Sequence, residues 1–146
     1  MPERRLAATL LAVLLSAAAW AGDAALPPLI DAHAHYAQPD ADAFSPDAIL
    51  ATLDAAGVRR MVVTGAPPEL AQMLYRRAPD RILPALGVYE RGTHKGNWIH
   101  DAALPARVAA MLGNGHWAAL GELHLFAADA RAPVFEALVK LAAAHD

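Results

Sequence analysis

Ser45-Pro46-Asp47-Ala48-Ile49-Leu50-Ala51-Thr52-Leu53-Asp54-Ala55-Ala56-Gly57, then Val58-Arg59-Arg60 and the apolar Met61-Val62-Val63-Thr64, is the stretch that decides the fold. Ser45 has the chemistry of a helix N-cap, Pro46 suits the first helical position, and Asp47 adds an early acid. Ile49, Leu50 and Leu53 recur at helical spacing, and Gly57 suits the position just past a helix end. Met61 to Thr64 reads as a strand closed by Gly65 and Pro67. A helix is therefore followed directly by a strand.

Working outward, the same unit repeats. Upstream, Leu29-Ile30-Asp31-Ala32 is a short apolar run that ends in His33-Ala34-His35. Downstream, Leu70, Met73 and Leu74 give a helical stripe between Pro68 and Arg77, stopped by Pro79-Asp80. A third strand pattern runs from Ile82 to Tyr89, a polar loop from Glu90 to Asp101, and a helix from Pro105 to Leu112. The fourth cycle is a strand pattern over Ala118 to Leu125 and a helix over Pro133 to Ala144. Strands alternating with helices of about ten residues mean an α/β fold of (β/α) repeats around a parallel sheet. The near-continuous apolar character of the strands suits burial on both faces. Right-handed crossovers put all strand C-terminal ends on one side, where ligands bind in such folds.

Composition narrows the function. The 146 residues carry 12 basic against 15 acidic side chains, so no basic excess exists to attract nucleic acid or anionic lipid. Absence of cysteine excludes disulfides, Cys-ligated zinc and thiol nucleophiles. Only Ser16 and Ser45 could offer a serine nucleophile, and no Gly-rich phosphate loop or G-x-S-x-G elbow occurs. Arg4 and Arg5, the uncharged run Leu6 to Ala19, and Ala19-Trp20-Ala21 are the parts of a secretory signal peptide over residues 1–21. The run is shorter than the ~20 residues that a spanning helix takes, which favours a cleaved signal over the alternative of a retained N-terminal anchor. The expectation is an exported protein, periplasmic or secreted, with 22–146 as its one domain and no stable membrane insertion after signal removal.

Seven histidines invite individual placement. His33 and His35 are two apart at the end of strand one, so both rings leave the same face, with Asp31 expected one step deeper on it. Two imidazoles at that rim are able to bind one divalent cation; the plainer interpretation is a solvated pair. Glu122 and His124, in Gly121-Glu122-Leu123-His124, share a face of strand four, and a buried carboxylate there needs a metal or an arginine as partner. Arg91, Thr93, His94 and Lys95, in the loop after strand three, are candidates to grip substrate, although a polar loop is usually only solvated. Trp98 and His100 are weaker candidates of the same kind, and His116 falls at the opposite rim as a structural residue.

Taken together, Leu29-Ile30-Asp31-Ala32-His33-Ala34-His35 and Gly121-Glu122-Leu123-His124, with Ala55-Ala56-Gly57-Val58 before Met61-Val62-Val63, resemble the amidohydrolase superfamily of metal-dependent (β/α)8-barrel hydrolases. The pattern is similar to its amidohydrolase-related and TatD-like branches and covers about residues 29–146. The resemblance implies a TIM-type barrel of which these are about the first four units. It makes His33 and His35 the first two metal ligands and Glu122 a strand-four ligand or bridge. It implies zinc first, with manganese or iron as alternatives, and a small-molecule amide, ester or phosphoester as substrate. Asp31, His124, Arg91, His94 and Lys95 would contact substrate or support the ligands. The family's later ligands and its proton-shuttling aspartate have no matching position here, so the catalytic residues stay unassigned. A full barrel takes about 200–250 residues. The expectation is thus a fragment, or a chain that pairs with a second half-barrel or with itself, with little hydrolase activity alone. Two other interpretations stay open: a non-catalytic exported α/β domain that binds a ligand or partner, and a PHP-type phosphoesterase. The latter also begins with H-x-H but has a Thr-Asp-His-like cluster where this chain has Thr64-Gly65-Ala66-Pro67.

Overall fold

The computed structural model describes residues 27–89 and 92–145; the signal-peptide expectation for residues 1–21 and the candidate Arg91 lie outside them. The elements follow in chain order as β1 (Leu29–Ala37), α1 (Gln38–Ala43), α2 (Pro46–Ala55), β2 (Val58–Ala66), α3 (Glu69–Arg77), β3 (Ile82–Leu86), α4 (Leu104–Leu112), β4 (Ala119–Leu120) and α5 (Pro133–Ala143). Short 3-10 turns cover Trp98–His100 and Ala127–Asp129. The four strands form one parallel sheet in the order β1-β2-β3-β4. This is the α/β alternation that the sequence pattern implies.

Local chemistry sets the helix boundaries. The Ser45 hydroxyl accepts a hydrogen bond from the Ala48 N–H, and Pro46 occupies the first turn of α2. Gly57 turns the chain at a φ of 67°, a conformation that costs glycine little. The polar α1 has no apolar stripe to announce it. It is held by the Asp40 carboxylate, which accepts from the Ala37 N–H, and by Gln38 donating to Asp42 one turn on.

All the helix-side packing lies on one face of the sheet. Tyr36, Leu53, Met61, Val63, Leu74 and Ile82 form one buried cluster between β1, β2, β3 and helices α2 and α3. Leu86, Trp98, Leu104, Val108 and Leu138 anchor a second under α4 and α5. The other face carries His33, Val62, Thr64, Ala85 and Ala119 around a shallow depression of about 190 Å³. Ile30 on β1 is 60% exposed. Among the described residues, the outer edges of β1 and β4 pair with no further strand. Two peptide bonds among those residues are cis, Ala66–Pro67 and Gly121–Glu122.

Two local departures from the expected pattern shape the site. Between Asp31 and Ala34 the β1 register advances three residues while β2 advances two, from Met61 to Val63. The extra residue is a β-bulge, which shifts side-chain phase. Asp31 pairs with the helix-side Met61, so it does not share the face of His33 and His35 as the period of two alone implies. The second departure is at β4, where the ladder covers Ala119–Leu120 and not Ala118 to Leu125. The Gly121 N–H still reaches the Leu86 carbonyl at 3.0 Å, but Gly121 has a φ of 149°, which turns the chain out of the ladder.

Candidate metal centre

β1 runs through His33 and His35 and ends beyond them, so extended backbone, and not a loop, aims the two rings. Within the bulge the His33 N–H donates to the Asp31 carboxylate at 3.1 Å. Asp31 therefore supports the backbone of His33 and does not face the rings. Opposite His35 in the ladder stands Thr64, whose hydroxyl donates to the Gly121 carbonyl at 3.4 Å. That bond ties the middle of the sheet to the segment carrying Glu122.

The expected convergence occurs. His33 Nε2 and His35 Nε2 are 3.0 Å apart, and Glu122 Oε2 lies 3.5 Å and 3.2 Å from them respectively. Ligands placed tetrahedrally around zinc at 2.0–2.1 Å stand roughly 3.3 Å apart. The three donor atoms thus already form one face of such a tetrahedron. These residues are a group able to hold a metal ion. At this distance one ring nitrogen donates a hydrogen to the other, and a cation could take the place of that hydrogen. The side chains of His33 and His35 are 59% and 54% exposed, that of Glu122 30%. Among the described residues, the groups facing the Glu122 carboxylate are three imidazoles and not an arginine.

The third imidazole is His124, whose Nε2 lies 2.8 Å from Glu122 Oε1. On the far side of the ring, Nδ1 is 2.7 Å from the Tyr89 hydroxyl, which also accepts from the His124 backbone N–H at 2.7 Å. The His124 carbonyl accepts from the indole N–H of Trp98 at 3.0 Å. Beyond Gly121, then, side chains of Tyr89 and Trp98 do what ladder partners do elsewhere, and they hold His124 by both backbone groups. Burial pushes the Tyr89 phenol above its ordinary range; the His124 N–H lowers it in part, and the Glu122 charge raises it again.

Among the loop candidates, Trp98 joins this cluster through its indole N–H, whereas Thr93 and His94 bond close to their own loop. His94 is engaged within its own turn, its N–H donating to the Asn97 side chain and its Nδ1 accepting from the Gly96 N–H. Lys95 and His100 are exposed. Thr93 donates to the Val88 carbonyl. Trp98 is a core residue, 1% exposed, and not a pocket wall. His116 stacks on Tyr75 with ring centres 4.5 Å apart, and its backbone pairs with the Gln72 side chain, a structural arrangement. The residue that pattern reading passed over is Tyr89, at the end of the third strand pattern. Its position just past β3, at the same rim as the histidines, was the one signal for it.

Compared with known proteins, the chain matches no protein-family model, no curated protein and no solved structure.

Proposed function

We propose that this chain is a metal-dependent hydrolase of the amidohydrolase type, with His33, His35 and Glu122 holding one divalent cation, zinc by preference, at the rim of a (β/α) barrel. The observation that carries the reading is the set of donor separations, 3.0, 3.2 and 3.5 Å, which fits one small tetrahedral ion. Two histidines, one glutamate and an open fourth position form a donor set that suits catalytic zinc. A cation held there would supply Lewis acidity toward a hydrolytic water and toward a scissile carbonyl or phosphoryl oxygen. His33 and His35 contribute neutral nitrogen donors from a strand, Glu122 contributes the negative charge, and His124 keeps one carboxylate oxygen engaged. The depression beside His33 and Glu122, floored by Val62, Ala85 and Ala119, suits the apolar part of a small ester or amide.

Two companion readings belong to the proposal. The sheet face left bare and the two strand edges left unpaired among the described residues support completion of the barrel by a second half or a second copy of this chain. Residues 1–21 support export of the mature chain to the periplasm or beyond. The test is a zinc titration of the purified full chain, followed by assays with nitrophenyl esters, anilides and phosphoesters. One zinc per chain and turnover abolished by a chelator, however slow, support the reading. Absence of zinc binding overturns it, and binding without any turnover favours a non-catalytic ligand-binding domain.

A further inference from the structure

We infer that Tyr89 and His124 are positioning residues that present Glu122 as a one-oxygen donor, so that the site takes a single cation and not a carboxylate-bridged pair. The inference rests on the metal reading above and extends it. A ring nitrogen 2.8 Å from a carboxylate oxygen must carry a hydrogen, which makes His124 Nε2 the donor to Glu122 Oε1. In the neutral ring Nδ1 is then an acceptor, and the Tyr89 hydroxyl, which already accepts from the His124 backbone N–H, gives its own hydrogen to it. Every donor and acceptor in the chain Tyr89–His124–Glu122 is matched in this one arrangement. The alternative tautomer sets two lone pairs against each other at 2.8 Å and strands the phenol hydrogen.

The consequence falls on Glu122. Oε1 is occupied by His124, and Oε2 alone stands among the imidazoles of His33 and His35. A carboxylate bridging two ions through both oxygens would here have to break the bond from a ring fixed at Nδ1, at its backbone N–H and at its carbonyl, and a one-oxygen bridge would crowd both ions onto Oε2. Nor is a second ligand set at hand: among the described residues His33, His35 and Glu122 form the one group of three that could hold an ion. Carboxylate and imidazole partners of this kind orient ligands, and their loss costs about 10–100-fold in metal affinity.

The experiment uses the full chain and three variants, His124→Ala, His124→Gln and Tyr89→Phe, with zinc competition against a chromophoric chelator and cobalt absorption spectra. Wild type is expected to bind one ion per chain. His124→Ala should bind about 10–100-fold more weakly with an altered cobalt spectrum. His124→Gln, which keeps an N–H where Nε2 stands, should recover most of the loss, and Tyr89→Phe should fall between. Far-UV circular dichroism of each variant reports whether the fold is kept. A metal-free readout stands beside these: two-bond nitrogen–proton spectra of the wild-type imidazoles should show His124 as the Nε2–H tautomer. The relay is overturned by an Nδ1–H or doubly protonated His124, by two ions per wild-type chain, or by His124→Ala binding as wild type does. Failure of wild type to bind zinc or cobalt sinks the metal reading itself, a result distinct from unchanged variants.

Discussion

Replacing Trp98 with phenylalanine tests whether the core and the candidate centre are mechanically joined. The indole is 1% exposed, stands edge-on to Phe135 at 6.5 Å, and donates its N–H to the His124 carbonyl at 3.0 Å. Phenylalanine is roughly 40 Å³ smaller, and at about 24 cal/mol per Å³ the unfilled space costs about 1 kcal/mol. The His124 carbonyl then loses its donor; because it is only partly buried, the lower end of the usual penalty applies, about 1 kcal/mol. The expected destabilisation is about 2 kcal/mol, read as a lower urea midpoint with unchanged slope. Zinc affinity should fall with it, because the segment from Gly121 to Leu125 loses the Trp98 anchor and is left with those from Thr64 and Tyr89. Phe135→Leu is the control: it trims the same cluster without touching His124, so it should cost stability and leave zinc affinity alone. A Trp98→Phe loss below about 0.5 kcal/mol refutes the packing argument. A full loss of stability with wild-type zinc binding refutes the coupling.

Three other outcomes follow from the structure. His35→Ala should weaken zinc by more than about 100-fold, beyond the range of outer-shell changes, with the urea midpoint unmoved because the ring is more than half exposed. Gly65→Ala should cost about 1–3 kcal/mol or more in the same urea assay, because an added Cβ would lie 2.6 Å from the Ala71 nitrogen and 2.7 Å from the Pro67 oxygen, both backbone atoms. For Asp101 the hydrogen bond from Arg107 holds the carboxyl below its ordinary value, aided by the Ala103 N–H. A pKa depressed by folding stabilises the protein above the unfolded value and loses that contribution as pH falls through the folded one. Asp101→Asn should therefore show a shallower loss of stability with acidification below about pH 4, measured by urea midpoints across pH.

What could be read from the sequence divides along the range of the interactions involved. The start and end of α2 were legible because the Ser45 cap bond, the Pro46 ring and the positive φ of Gly57 all act within a few residues. The meeting of His33, His35 and Glu122 was legible at longer range because parallel strands deliver their C-terminal ends to one rim. The bulge at Ala32-His33 was not, since it exists only in the pairing of β1 with β2, and it moved Asp31 off the expected face. The length of β4 was misjudged for a related reason. Leu123 and Leu125 look like strand residues, but the groups that hold this segment are Tyr89 and Trp98, 35 and 26 positions from His124. The helix α1 escaped notice because its support is polar and local, with no apolar stripe to mark it.

Both β1 imidazoles stand more than half in water on the outermost strand of the sheet. In this chain by itself an ion can therefore arrive or depart without any described element giving way, and so can a competing chelator. Any ion held there would be retained by bond strength at its donors, since among the described residues both rings stand open to water. The occupancy of such a doorway tracks the free-metal level around the protein from moment to moment.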